Sequence, residues 1–112
     1  MKTSAGIFIL YGDKVLVGHP TNQSKLSRSI PKGGLEVNET EIEAAIRETY
    51  EESNILFKET DLEDVPLYFK YDNKNKRLKT FIVNIDKKPD DIKCTSTFVK
   101  NGKEYPEMDY FE

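Results

Sequence analysis

The sequence predicts an α/β domain in which a mixed β-sheet packs against a single amphipathic helix. Three observations carry that prediction. Runs rich in β-branched and aromatic residues lie in both halves of the chain. One segment between them, starting at Glu41, combines helical periodicity with a helix-start signal. The order, strands then helix then strands, is that of a sheet carrying its helix on one face. With 112 residues, 37% hydrophobic and 33% charged, and no linker, repeat or low-complexity segment, the chain reads as one domain, residues 1–112.

The first two strands are residues 4–10, SAGIFIL, and 14–19, KVLVGH, which flank Tyr11-Gly12-Asp13 and form a hairpin. Ser29-Ile30-Pro31-Lys32-Gly33-Gly34 is a short apolar approach, a proline-directed turn and two glycines, where backbone can come close to a ligand. Thr40 and Glu43 have capping-box spacing, in which hydroxyl and carboxylate satisfy orphan N–H groups, so the helix begins at Glu41.

At about 100° per residue, Ile42, Ala45, Ile46, Thr49 and Ser53 fall on a packing face. Glu41, Ala44, Glu48, Glu51 and Glu52 fall opposite, with Arg47 on the flank. Thr49 is expected to bond its hydroxyl to the carbonyl one turn back. Asn54 is expected to close the helix in the left-handed conformation. Pro66–Tyr71 and Leu78–Ile85 follow as strands joined by the turn Asp72-Asn73-Lys74-Asn75. Lys87–Asp91, with Pro89, is a loop, Thr97–Lys100 a short strand or turn, and Met108–Phe111 the last strand.

Composition excludes several classes. The net charge of −3 argues against a general nucleic-acid coat, which clusters Lys and Arg, but leaves small phosphates bound through metal. No apolar stretch spans a bilayer and no long apolar core marks a signal peptide, so no membrane partner and a cytoplasmic location are expected. Cys94, the single cysteine, forms no intrachain disulfide and has no neighbouring ligand for zinc. The single histidine, His19, follows the apolar run Val15-Leu16-Val17 and reads as structural.

The acidic side of the helix asks for an explanation. Glu48 is three residues from Glu51 and four from Glu52, and each such like-charge pair costs a few tenths of a kcal/mol. Glu51 and Glu52 also sit at the helix end where the macrodipole disfavours negative charge. A solvated acidic face is the ordinary reading of such a run. A hard-oxygen divalent cation would relieve the repulsion.

The residues before the helix favour the cation. Gly33, five residues, Glu39, seven residues, Arg47-Glu48, two residues, Glu51-Glu52 is a fixed pattern of six anchors. At background frequencies of about 5 to 7% each, it arises by chance on the order of once in ten million start positions, too rarely for accident in a short chain. The pattern resembles the signature box of the Nudix hydrolases, here at residues 33–55, which cleave a diphosphate linked to another moiety using divalent metal. Ile55 fits the aliphatic end of that box. Thr49 and Asn54 depart from its aliphatic and glycine positions, yet neither is a candidate ligand.

The resemblance implies that Glu48, Glu51 and Glu52 hold Mg2+, with Mn2+ as a substitute, and that Lys32 lends a backbone carbonyl to the metal. It implies that Gly33 and Glu39 support the box structurally and that Arg47 orients the glutamates. The attacking water needs a base; Glu48 is the first candidate, and Glu104, Glu107 and Glu112 are later ones. Pro31-Lys32-Gly33 resembles the diadenosine-polyphosphate and inositol-pyrophosphate branches. Tyr71, sixteen residues after Ile55, stands about where the former carry a base-stacking tyrosine.

The substrate expected is therefore a small nucleotide, with a dinucleoside polyphosphate first. RNA 5′ pyrophosphohydrolase and nucleoside triphosphate pyrophosphatase activities use the same site. A non-catalytic nucleotide-sensing Nudix-like module and an interaction domain with a solvated helix are the readings from other classes. Retention of every box glutamate favours catalysis. Nudix domains form α/β/α sandwiches closed by a C-terminal helix. Here the sequence stops at Glu112 with no segment for that helix, which leaves two readings, a minimal or truncated version of the domain or an oligomer partner that covers the sheet face; a homodimer is the one expected, because a bare sheet face would be a large apolar patch.

Overall fold

The computed structural model describes residues 2–20, 29–71, 75–87, 97–100, 103–106 and 108–111. In chain order its elements are β1 (Lys2–Tyr11), β2 (Lys14–Val15), β3 (Gly18–Pro20), β4 (Lys32–Gly34), α1 (Glu41–Ser53), a 3-10 turn (Glu59–Asp61), β5 (Glu63–Lys70), β6 (Lys76–Ile85), β7 (Thr97–Lys100), β8 (Lys103–Pro106) and β9 (Met108–Phe111). The main sheet runs β2-β1-β6-β5, with β4 also paired to β1. It is mixed as expected, because β1 and β6 are parallel from Lys2↔Lys76 to Tyr11↔Ile85 while the other pairs are antiparallel.

The hairpin turn falls on Gly12-Asp13, with Tyr11 opposite Lys14 and Gly12 at φ 61°. The second strand is shorter than the sequence predicts. Residues 14–19 split into β2, paired to β1, and β3, paired to β9. The edge of β1 beyond β2 is taken by β4, which pairs with Ser4, Ala5 and Gly6 and so displaces the hairpin partner. β7 and β8 form a separate antiparallel pair, and β8 lies where no element was expected. Cys94, Glu107, Glu112, residues 72–74 of the predicted turn and residues 88–91 of the predicted loop lie outside the described residues.

The core lies between the sheet and α1. Ala5, Ile7 and Ile9 alternate along β1 and are level with Lys79, Phe81 and Val83 of β6. The apolar members of both rows pack with Ala44 and Ala45 of the helix. Two alanines on the contact face let the helix axis approach the sheet closely. The predicted helix faces need one correction: Ala44 and Glu52, assigned to the outer face, are buried. The helix is embraced from two sides, by β1 and by β4, so its buried arc is wider than a single sheet contact requires.

Pro66 sits in edge strand β5, inside an irregularity between Asp64 and Tyr68, where a residue without an N–H is tolerated. Lys79 of β6 reaches this interruption, pairing with Asp64 and donating to the Val65 carbonyl. Among the described residues no helix is long and apolar enough to cross a membrane.

Candidate active site

The helix start and end that position the glutamates form as the sequence predicts. The Thr40 hydroxyl accepts from the Glu43 N–H at 3.2 Å, and the Glu43 carboxylate accepts from the Thr40 N–H at 2.9 Å. Asn54 caps the other end at φ 67°, ψ 19°, its N–H donating to the Tyr50 carbonyl. Thr49 is wholly buried as expected, but its hydroxyl has no hydrogen-bond partner. The back-bond belongs to Ser53, whose hydroxyl donates to the Thr49 carbonyl at 2.6 Å.

Strand β4 brings its backbone to the acidic residues. Gly33 is level with Ala5, whose side chain points at the helix, so a side chain at Gly33 would point there too. A Cβ at that position would collide with the Glu48 carboxyl group. One residue earlier, the Lys32 N–H donates to Glu52 Oε1 at 3.4 Å. Glu52 is 1% exposed, so the contact carries a carboxylate from inside the helix packing to the edge of β4.

Arg47 organises the rest. Its Nε donates to Glu39 Oε2 at 2.7 Å, one terminal nitrogen to Glu48 Oε1 at 2.8 Å and Glu51 Oε2 at 3.2 Å, and the other to Glu39 Oε1 at 3.0 Å and the Gly34 carbonyl at 2.9 Å. The hydrogen bond to Glu39 is the main cause of an Arg47 pKa raised above its ordinary value, followed by those to Glu48 against the opposing effect of burial. The same bond holds the Glu39 carboxyl below the usual carboxylate range. Repulsion along the helix is therefore relieved by Arg47 itself. Sequence reasoning placed Arg47 on the flank of the acidic face, and its length lets the guanidinium sit between the carboxylates.

Two contributors lacked a clear sequence signal. Glu36 pairs with Arg47 at 2.9 Å and closes a turn with Glu39, whose side chain accepts the Glu36 N–H at 2.9 Å. Asn38, at φ 63°, is the trace this turn leaves in the sequence. Gly6 is the other, since a Cβ there would strike the Pro31 carbonyl and Lys32. Of the outlying candidates, Tyr71 approaches the site, with the Lys32 ammonium 5.9 Å from its ring centre. Glu104 falls on β8, opposite Val99, and His19 on β3, opposite Tyr110.

Residues 1–102 match the family model described as the NUDIX domain. The chain belongs to the Nudix family. Solved structures similar to this Nudix domain include a MutT/nudix family protein from Enterococcus faecalis, with a TM-score of 0.75 and 16% identity over 99% of this chain and 42% of that one. An Ap4A hydrolase from C. elegans gives 0.67 and 24% over 100% and 78%. A bifunctional NMN adenylyltransferase/ADP ribose pyrophosphatase from Francisella tularensis, complexed with AMP and a Mn ion, gives 0.70 and 18% over 99% and 33%.

At these identities the likeness is one of fold, and the chain spans less than half the length of the first and third of these proteins. No curated protein sequence matches the chain.

Among the described residues no three acidic, histidine or cysteine side chains converge on one point, and Arg47 bonds both Glu48 and Glu51. The donors nonetheless suit a divalent ion. They are hard oxygens, and the bare backbone at Gly33 leaves Glu48 in a cradle that any Cβ would fill. Mg2+ takes few protein carboxylates and completes its shell with water and substrate phosphate, so a full protein cage is not required.

Proposed function

We propose that this Nudix domain hydrolyses the diphosphate bond of a nucleoside diphosphate linked to another moiety, in a reaction dependent on Mg2+ or Mn2+, and that it works on soluble nucleotides in the cytoplasm. The observation that carries the reading is the convergence of Glu48 and Glu52 on the β4 backbone, with Glu48 against Gly33 and Glu52 on the Lys32 N–H. Glu48, Glu51 and Glu52 would hold the metal, with the Lys32 carbonyl as a further donor. When bound, the metal supplies charge stabilisation for the reacting diphosphate and a lowered pKa for water.

The chain's own residues prepare that chemistry. Arg47 fixes Glu48 and Glu51 before substrate arrives, so their carboxylates need little reorganisation. Glu48, whose carboxyl group occupies the space beside Gly33, is the candidate to accept the proton of the attacking water. Glu39 anchors Arg47 from the loop side. Tyr71, beside Lys32, would meet the nucleoside.

The Ap4A hydrolase and ADP ribose pyrophosphatase among the similar structures make a dinucleoside polyphosphate the first substrate to test. Phosphate release should be measured with and without Mg2+ on dinucleoside polyphosphates, nucleoside triphosphates, ADP-ribose and triphosphorylated RNA. Glu51→Gln and Glu52→Gln should each lower kcat at least a hundredfold, since charge stabilisation of this kind is worth roughly that much. Unchanged Mg2+-dependent turnover in both variants would sink the site assignment. Mg2+ should also raise the Tm of the wild type more than that of the variants, as linkage requires for an ion held by the folded state.

A further inference from the structure

One edge of the main sheet is left open where β6 outruns β5. Strand β6 pairs with β1 without interruption from Lys76 to Ile85, so its residues turn their N–H and C=O groups alternately to β1 and to β5. The Tyr71 N–H donates to the Lys76 carbonyl at 3.3 Å, which assigns the even-numbered residues of β6 to the β5 side. The last pair on that side is Glu63↔Ile82. Before Glu63 the chain turns away, with the Leu62 N–H bonded to the Glu59 carbonyl at 3.2 Å at the 3-10 turn. Asn84, the next even-numbered residue, therefore presents its N–H and carbonyl to a side where no strand stands among the described residues.

The vacated space is an open cleft of about 490 Å3, lined by Phe57, Asp61, Val83, Asn84, Ile85 and Asp86. Its floor is apolar, because Val83 belongs to the core and Phe57 and Ile85 pack against it. Its rim is acidic. Asp61 is exposed and held by the Lys58 N–H, which donates to its Oδ2 at 2.8 Å, and Asp86 is exposed just past the end of β6. No lysine or arginine is among the lining residues. The cleft also stands apart from the carboxylates of the box. Ile85 is level with Tyr11, whereas β4 pairs no further along β1 than Gly6, a separation of about 16 Å at the rise of a strand.

We propose that this cleft docks an extended segment of a partner protein, in which aliphatic residues alternate with lysines or arginines, added beside Asn84 as a short strand. An open strand edge is a template for another extended backbone, and Asn84 offers both a donor and an acceptor to it. Side chains alternate along such a strand. One set enters over Phe57, Val83 and Ile85, and the other stays at the rim, where Asp61 and Asp86 favour positive charge. Each feature excludes a different occupant. The acidic rim disfavours a polyphosphate or an acidic peptide, and the apolar floor disfavours a hydrated metal ion. The other open edge of the sheet, the outer side of β5, is interrupted at Pro66, a common protection against strand addition. The end of β6 carries no proline.

The test is an amide NMR titration of the isotope-labelled full chain with the end-blocked peptide Lys-Val-Lys-Val-Lys. Signals of Asp61, Asn84, Ile85 and Asp86 should shift saturably. Three other probes separate the contributions: Glu-Val-Glu-Val-Glu removes the charge match, the basic peptide N-methylated at every amide removes the strand donors, and spermidine offers ammonium groups with no backbone. None should give a saturable shift at Asn84. The double variant Asp61→Asn, Asp86→Asn should weaken binding of the basic peptide about tenfold, through loss of two exposed ion pairs. Asparagine at position 61 keeps an oxygen for the Lys58 N–H, so the turn stays formed. An equal response to spermidine would reduce the cleft to a cation-attracting rim, and an equal response to the N-methylated peptide would remove the added strand; either overturns the proposal. So would unchanged affinity in the double variant, shifts centred on Glu48 and Glu51 instead, or no saturable shift with the basic peptide.

Discussion

Gly33 and Thr49 show how much a single position decides in this Nudix domain. Gly33 faces the helix, and the space its side chain would take is filled by the Glu48 carboxyl group. Gly33→Ala should therefore push Glu48 aside and lower kcat at least tenfold, with helix content by circular dichroism unchanged. An active Gly33→Ala enzyme would mean Glu48 is not held where the chemistry occurs. Thr49 fails in the opposite sense, by carrying a polar atom it does not use. Its hydroxyl is buried with no partner, and leaving such a group unsatisfied costs roughly 1–3 kcal/mol. Thr49→Val keeps the shape and restores the aliphatic residue the family pattern asks for. It should raise stability by about 1 kcal/mol in denaturant titration, with activity unchanged. A loss of stability would show that the hydroxyl finds a partner in solution.

At the scale of the element, α1 is set at both ends by local chemistry. Thr40 and Glu43 close the first turn and Asn54 the last, so the helix begins and ends where short-range spacing says it should. Thr40→Ala should cost about 1 kcal/mol, seen as a lower Tm. It should also raise the metal concentration needed for half-maximal activity, because the helix it frays carries the box glutamates. A Thr40→Ala variant as stable as the wild type would show that tertiary packing alone fixes the helix start. The strand elements obey a different logic. Residues 14–19 have the composition of one strand, yet β4 takes the edge of β1 that the hairpin would have continued along. Composition cannot report that competition, because it depends on which distant segment reaches the edge first and pairs best.

The whole molecule is tied together at Arg47, which joins the loop residues Glu36 and Glu39 and the Gly34 carbonyl to the helix residues Glu48 and Glu51. Glu36 is largely exposed and contributes little; Glu39 is the pairing that matters. Arg47's hydrogen bond holds the Glu39 pKa below its ordinary value of 4.5. A carboxyl group lowered in this way stabilises the folded state fully above its unfolded pKa, and that stability is lost as pH falls through the folded one. The Tm should thus drop as the pH falls below 4.5, and Glu39→Gln should lower the neutral-pH Tm and flatten that limb. An acid limb of the same steepness in Glu39→Gln would assign the acid sensitivity elsewhere.

The sequence by itself determined the reaction family, the helix and its caps, and the set Gly33, Glu39, Arg47 and Glu48, because each depends on residues close in the chain or on a fixed spacing. Only the tertiary structure decided that Glu52 is buried, that the Arg47 guanidinium bonds both Glu48 and Glu51, and that Lys32 joins Glu52 on one side to Tyr71 on the other. Those facts depend on β4 pairing with the edge of β1, which brings together side chains from separate segments that no local pattern links.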